Sequence, residues 1–147
     1  MPKEIEYKFL IHNDRLPALG QGKRLIQGYL SVRPTVRVRI VSSGDASNAY
    51  LTIKGPGLIE RDEFEYEIPV EHAKQMLQLC GKVILEKIRY VFNGWEIDQF
   101  LGRHQGLWLA EYELHAPGQT LPPLPGWIKE DVTGNPAYTN GSLALRE

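Results

Sequence analysis

The sequence predicts a mostly β, α+β fold in which an antiparallel sheet closes into a barrel around a polar interior. Two observations carry that prediction. Short stretches along most of the chain alternate charged with apolar residues at a period of two, so each makes a strand with one charged and one apolar face. The charged positions also segregate by strand, into Arg and Lys or into Asp and Glu. An ordinary sheet with its polar side in water accounts for any single stretch. A solvated face would more often mix Thr, Ser, Gln and Lys, however. Strands of cations beside strands of carboxylates suit a shared interior, with the apolar faces turned outward under helices.

In the first strand Glu4, Glu6 and Lys8 share one face, and Ile5, Tyr7 and Phe9 the other. Two carboxylates and an ammonium side by side are costly to bury unless something of mixed charge fills the space before them. A divalent metal carrying an anion would do so. A short helical turn is expected after Asn13, with Gly20 to end it. Val36, Val38 and Ile40 then interleave with Arg37 and Arg39, Leu51 and Ile53 with Thr52 and Lys54, and Phe64, Tyr66 and Ile68 with Glu63, Glu65 and Glu67. Lys54-Gly55-Pro56-Gly57 is glycine-rich but lacks the GxxxxGK[ST] order of a phosphate loop, and it reads as a turn.

After Pro69, the positions Ala73, Met76, Leu77 and Cys80 recur at helical spacing and Gly81 follows as a C-terminal cap, which gives a helix of about ten residues. Met76 and Cys80 read as core packing, with a reactive thiol as the alternative for Cys80. Ile88, Tyr90 and Phe92 oppose Lys87 and Arg89. Asn93-Gly94 is a hairpin signal that sets Phe92 against Trp95 and therefore Arg89 against Asp98. That pair reads equally as a plain cross-strand salt bridge. Glu96 and Asp98 flank Ile97, and Ala110, Tyr112 and Leu114 alternate with Glu111 and Glu113. The proline-rich stretch from Leu121 to Gly126 is a loop, and Asn140 caps a last short helix through Leu145.

Composition narrows the classes. With 147 residues, 42% hydrophobic and 24% charged, residues 1–147 read as a single domain large enough for its own core. A net charge of -1 argues against a nucleic-acid partner held by a broad basic surface. The single cysteine excludes a disulfide framework, and no apolar run approaches a membrane span or leader, so no membrane partner and a cytoplasmic location are expected. His12, His72, His104 and His115 lack ligand spacing and read as surface or structural groups. His115 is the partial exception, because it continues the Glu111 and Glu113 face. Trp95, Trp108 and Trp127 read as packing.

The set Glu4-Ile5-Glu6-Tyr7-Lys8, Gln27-Gly28-Tyr29-Leu30, Thr35 to Ile40, Leu51 to Gly55, Arg61 to Pro69, Glu86 to Tyr90, Trp95 to Asp98 and Ala110 to Glu113, in this order, resembles the CYTH family of triphosphate tunnel metalloenzymes. The first segment matches that family's ExExK strand. The resemblance implies a closed eight-stranded antiparallel tunnel with a charged lumen and outer helices, binding a triphosphate-containing small molecule with Mg2+ or Mn2+. It implies metal ligation by Glu4, Glu6, Asp98, Glu111 and Glu113, and phosphate contacts from Lys8, Arg37, Arg39, Lys54, Lys87 and Arg89. Glu4, Glu6 and Lys8 are expected to be catalytic, with Tyr29, Arg61, Glu63 and Glu65 in support. Tyr29 reads equally as a structural tyrosine. Position 137 is an alanine where relatives often carry a basic residue, which removes one expected cation.

Within the family the substrate expected is inorganic triphosphate, cleaved to phosphate and pyrophosphate. The alternatives are thiamine or nucleoside triphosphate hydrolysis, then a class IV adenylate cyclase, or a non-catalytic polyphosphate or nucleotide binder; a homodimer is compatible with any of them. Hard oxygen ligands favour magnesium or manganese over zinc.

Overall fold

The period-two stretches of the sequence become long strands in the computed structural model, which describes residues 3–116 and 118–145. The strands are β1 (Lys3–Ile11), β2 (Lys23–Val32), β3 (Thr35–Ser43), β4 (Ala46–Lys54), β5 (Glu60–Ile68), β6 (Ile84–Phe92), β7 (Trp95–Phe100), β8 (Trp108–Leu114) and β9 (Ile128–Asp131). The helices are α1 (Val70–Leu79) and α2 (Asn140–Leu145). Antiparallel neighbours run β1-β5-β4-β3-β2-β6-β7-β8 and back to β1, which closes an eight-stranded barrel and leaves no free edge among those strands.

Residue identity explains the closure. In four of the ladders charged positions face charged positions: Lys8 lies opposite Glu111, Lys54 opposite Glu63, Arg89 opposite Asp98 and Glu96 opposite Glu111. The Arg89–Asp98 register is the one the Asn93-Gly94 turn dictates, and Asn93 and Gly94 both adopt positive φ, 49° and 84°, as that turn requires. The second edge of β1 is divided. Lys3, Glu4 and Ile5 pair with Asp62, Arg61 and Glu60 of β5, whereas Phe9 to Ile11 pair with β9. Between them Lys8 N–H donates to Thr133 Oγ1 at 2.9 Å, and Lys8 O accepts from Val132 N–H at 2.9 Å.

The outer apolar faces are covered by different means. Helix α1 lies over β2, β3 and β4, burying Val38, Ile40 and Ala49 with its own Ala73 and the following Cys80. Gly28 permits that approach, because a Cβ there would stand 2.7 Å from Cys80 Sγ. Cys80 is therefore a packing group, as its helical spacing indicates. Over β1, β7 and β8 the cover is aromatic: Trp95 packs edge-on against Phe9, Tyr112 and Trp127, with Ile97 and Ala110 beneath.

Three local readings change. The turn after His12 is a 3-10 turn, Asn13–Arg15, that closes at Leu16, so Gly20 bends the loop beyond it and does not end it. Helix α2 spans the expected residues, but Thr139 caps it, its Oγ1 accepting from Ser142 N–H at 3.1 Å. Asn140 is thereby released for another contact. The interior is also not charged throughout. Tyr29, Leu85, Phe100 and Leu109 share the charged face of their strands and pack with Val132, Leu143 and Ala144, so α2 closes one end of the barrel with an apolar plug and only α1 lies outside.

Candidate active site

The alternation that turned the apolar residues outward leaves Glu4, Lys8, Arg37, Lys54, Lys87, Asp98 and Glu111 in the lumen, all of them buried. They sort into two groups. On the β1, β4, β5 and β8 side, Glu4 Oε1 takes Lys54 Nζ at 2.6 Å and Arg61 Nε at 3.5 Å, and Lys54 reaches Glu63 at 3.3 Å. One oxygen from each of Glu4, Glu63 and Glu113 lies within 4.8 Å of the other two. Glu4 Oε2 is buried with no amine, amide or alcohol donor.

Three carboxyl groups in so small a space cannot all ionise on the strength of Lys54 and Arg61 alone, and the relief open to them is a shared proton. Burial, the hydrogen bond to Glu4 and the charges of Glu4, Glu6 and Glu96 push Glu113 up to about 10. Burial acts on Glu4 in the same sense, but the hydrogen bond from Glu113 and the Lys54 ammonium outweigh it and hold Glu4 at about 2. Burial and the Glu111 charge raise Glu6 to about 7. Glu63 is raised as well, chiefly by burial.

The second group spans β2, β3, β6 and β7. Asp98 has both oxygens taken: Oδ1 by Arg89 Nε at 2.8 Å, Oδ2 by the Arg89 terminal nitrogen at 2.8 Å and by Lys87 Nζ at 2.7 Å. Burial would raise Asp98, yet Arg89 and Lys87 hold it below its ordinary value. Glu111, between the groups, is 3.5 Å from Lys8 and 3.9 Å from Arg89; against its burial, Lys8, Arg89 and Lys87 keep it well below the usual carboxylate range. Arg37 and Arg39 meet neutral partners, Thr52 Oγ1 at 3.2 Å and Gln27 Oε1 at 2.9 Å, and Arg37 Nε is buried with none. Burial and the charges of Arg37 and Arg89 lower Arg39 to about 9.

Most of the residues singled out in the sequence thus meet in one lumen. Asp98 stands apart from the carboxylate group, because the hairpin register commits it to Arg89, while Glu63 joins that group through Lys54 and Glu4. Glu65 is exposed near the other end of β5. The Tyr29 hydroxyl accepts from Gln27 Nε2 at 3.0 Å and its ring packs in the apolar plug, the structural alternative for that residue. His115 lies 3.1 Å from Glu113 at the surface. The segment after Ala137 brings acceptors and no cation to the lumen: Lys8 Nζ donates to the backbone Tyr138 O at 2.9 Å, and Lys87 Nζ to the side-chain Asn140 Oδ1 at 3.2 Å. These two acceptors, and the β9 segment that pins Lys8, carry no periodic signal in the sequence. A cavity of about 550 Å³ beside α2, reached by Arg37, Lys54 and Arg61, connects the lumen to solvent.

Comparison with known proteins matches residues 2–119 to the profile of the CYTH domain. An inorganic triphosphatase of Acetivibrio thermocellus is 42% identical over 151 residues, covering 97% of this chain and 94% of that protein. One from Nitrosomonas europaea is 32% identical over 152 residues, covering 97% of both. Among solved structures, an inorganic triphosphatase superposes over 100% of this chain and 97% of its own with a TM-score of 0.67 and 28% identity. A Pyrococcus horikoshii protein, at 21% identity and a TM-score of 0.54 over 77% of this chain and 78% of its own, shares the fold.

Proposed function

Because the chain belongs to the CYTH domain family, we propose that it hydrolyses inorganic triphosphate to phosphate and pyrophosphate inside the barrel, with Mg2+ or Mn2+. One observation carries this reading. The same closed lumen holds a buried carboxylate oxygen that no amine, amide or alcohol group meets, Glu4 Oε2, and a buried guanidinium nitrogen without an acceptor, Arg37 Nε. Leaving either unmet is costly, and a divalent cation together with a polyanion meets both.

Glu4, Glu63 and Glu113 would hold the cation, with Glu6 and Glu111 beside them; their hard oxygen donors suit magnesium or manganese. When bound, the cation supplies positive charge to the phosphate oxygens and lowers the pKa of water. The chain does the rest. Arg37 and Arg39, committed only to neutral groups, take the phosphate oxygens, and Arg89 and Lys87 are aimed by Asp98. Lys8, set between Glu6, Glu111 and Tyr138 O, grips the phosphate nearest β1. Water adds to the terminal phosphorus, the bridging P–O bond breaks, and the charge left on pyrophosphate is met by these fixed donors. The family resemblance alone assigns Asp98 to metal; in this reading it positions Arg89 and Lys87.

The single cysteine, buried and free, fits a reducing compartment, and the cytoplasm is the location proposed. Phosphate release from inorganic triphosphate, ATP and thiamine triphosphate, each with magnesium, manganese or chelator, tests the proposal. Metal-dependent release from inorganic triphosphate ahead of the others is expected. Preference for an organic triphosphate would change the substrate, and tight binding without turnover would make the tunnel a binding module.

A further inference from the structure

We propose that Arg103 and His104, which lie outside the lumen, are positioning residues for the phosphate-binding lysines and act through helix α2. The inference rests on the triphosphatase reading above. It begins from a weakness of α2: six residues, Asn-Gly-Ser-Leu-Ala-Leu, make a helix too short to hold itself, with its last carbonyls unpaired by the helix. Two of those carbonyls are claimed from outside. Arg103 donates to Ala144 O, and His104 Nε2 lies 2.6 Å from Leu143 O.

The same guanidinium nitrogen of Arg103 also reaches Ile84 O at 3.2 Å and Lys82 O at 3.5 Å, at the start of β6. Arg103 and His104 sit on a 3-10 turn, Gly102–His104, braced by Phe100 N–H to Leu107 O at 3.0 Å, Leu107 N–H to His104 O at 3.0 Å and Leu101 N–H to Glu86 O at 3.0 Å. One rigid turn on the barrel rim therefore fixes the C-terminal end of α2 to the wall.

The other end of that helix faces the charged lumen. Asn140 Oδ1 accepts from Lys87 Nζ, and Tyr138 O, just before the helix, accepts from Lys8 Nζ. Between clamp and lysines lies a rod of about 9 Å, short enough to move as a unit. Released from the clamp, α2 would withdraw these acceptors. Lys8 would then be left to Glu6 and Glu111 alone, and Lys87 to Asp98 alone, so each ammonium would lose the contact that fixes its direction and would be drawn toward the wall instead of held toward substrate. The loss falls on ground-state grip and therefore on KM more than kcat.

Steady-state kinetics with inorganic triphosphate test the clamp, using the full chain as wild type, Arg103→Ala, Arg103→Lys, His104→Ala and the double alanine variant. Arg103→Ala is expected to raise KM about tenfold with a smaller fall in kcat, and His104→Ala to raise it about threefold. Arg103→Lys, with one donor group where three carbonyls are served, should recover part of the loss. The double variant should fall short of the product of the singles, since both act on one helix. The rise in Tm given by triphosphate should shrink in the same order.

A residue that only stabilised the fold would lower Tm and leave KM and kcat of the folded enzyme unchanged, and that result overturns the proposal. If Arg103→Ala does not fold, Arg103→Lys and His104→Ala decide by the same split. Arg24→Ala, at an exposed pair with Glu86, is the control and should change neither constant. A wild type without triphosphate turnover overturns the triphosphatase reading itself. An active wild type with KM unmoved by the variants overturns the clamp alone.

Discussion

Glu4 and Asp98 belong to one lumen, both are buried, and each has a lysine Nζ at close range, 2.6 Å for Glu4 and 2.7 Å for Asp98. They end in opposite states. Asp98 has both oxygens answered, by Arg89 and Lys87, whereas Glu4 has one oxygen answered by Lys54 and the other, beside Glu63 and Glu113, met by no cation. Ion pairing therefore does not separate a structural carboxylate from one that awaits a ligand. Completeness of pairing does, since a saturated buried group offers nothing more and an unsaturated one holds free energy that binding releases.

The strongest way to break this contrast is Glu4→Gln, which keeps volume and removes charge. It should lower kcat by about a thousandfold while triphosphate still raises Tm, because the cations that grip phosphate remain. Near-normal turnover would remove Glu4 from the cation site. Asp98→Asn should do the reverse in kind. It leaves the fully buried Lys87 without a carboxylate, while Arg89 keeps Glu96 at 3.1 Å, and should cost about 3 kcal/mol of stability in denaturant titration, more than Glu4→Gln, whose partner Lys54 keeps Glu63. Equal losses from the two would erase the distinction.

Protons sharpen it further. With Glu113 raised to about 10 and Glu6 to about 7, near neutral pH Glu113 carries a proton and Glu6 is about half protonated in the metal-free protein. A cation must displace these protons, so its affinity should climb with pH, by up to about tenfold per unit for each proton released. Calorimetry in buffers of different ionisation enthalpy should count about one proton or more released per Mg2+. A pH-independent affinity would mean that the cation bypasses this group. Arg37→Gln should raise KM for triphosphate about tenfold with little change in Tm, since its guanidinium is committed only to Thr52. The smallest effect belongs to the exposed Arg24–Glu86 pair, whose removal should move stability by less than about 1 kcal/mol.

Much of this was legible in the sequence because β parity and turn chemistry are local. Glu4, Glu6 and Lys8 face inward by counting, and Asn93-Gly94 places Arg89 against Asp98 without knowledge of any other strand. The carboxylate grouping was harder to read. Glu63 and Glu113 meet Glu4 through barrel closure, which depends on how far each strand is staggered around the wall. Helix α2 was found but not its place, since Leu143 and Ala144 are too few to show which apolar surface they seek. Arg103 and His104 lie in a turn without periodicity, and their partners are backbone carbonyls, which leave no trace in side-chain pattern.

The divided edge of β1 has a consequence for how the protein comes to be active. The barrel is shut by three residue pairs between β1 and β5, and the middle one, Glu4 opposite Arg61, carries the carboxylate at the heart of the cation site. With three pairs it is the shortest ladder of the barrel among the described residues, so few contacts offset the cost of closing it, and it should form late in folding. A chain with every other ladder formed but this seam open would have the right secondary structure and no assembled site. Turnover is thus a direct readout of closure, and a cation bound across Glu4 of β1 and Glu63 of β5 would serve as the rivet in the last seam.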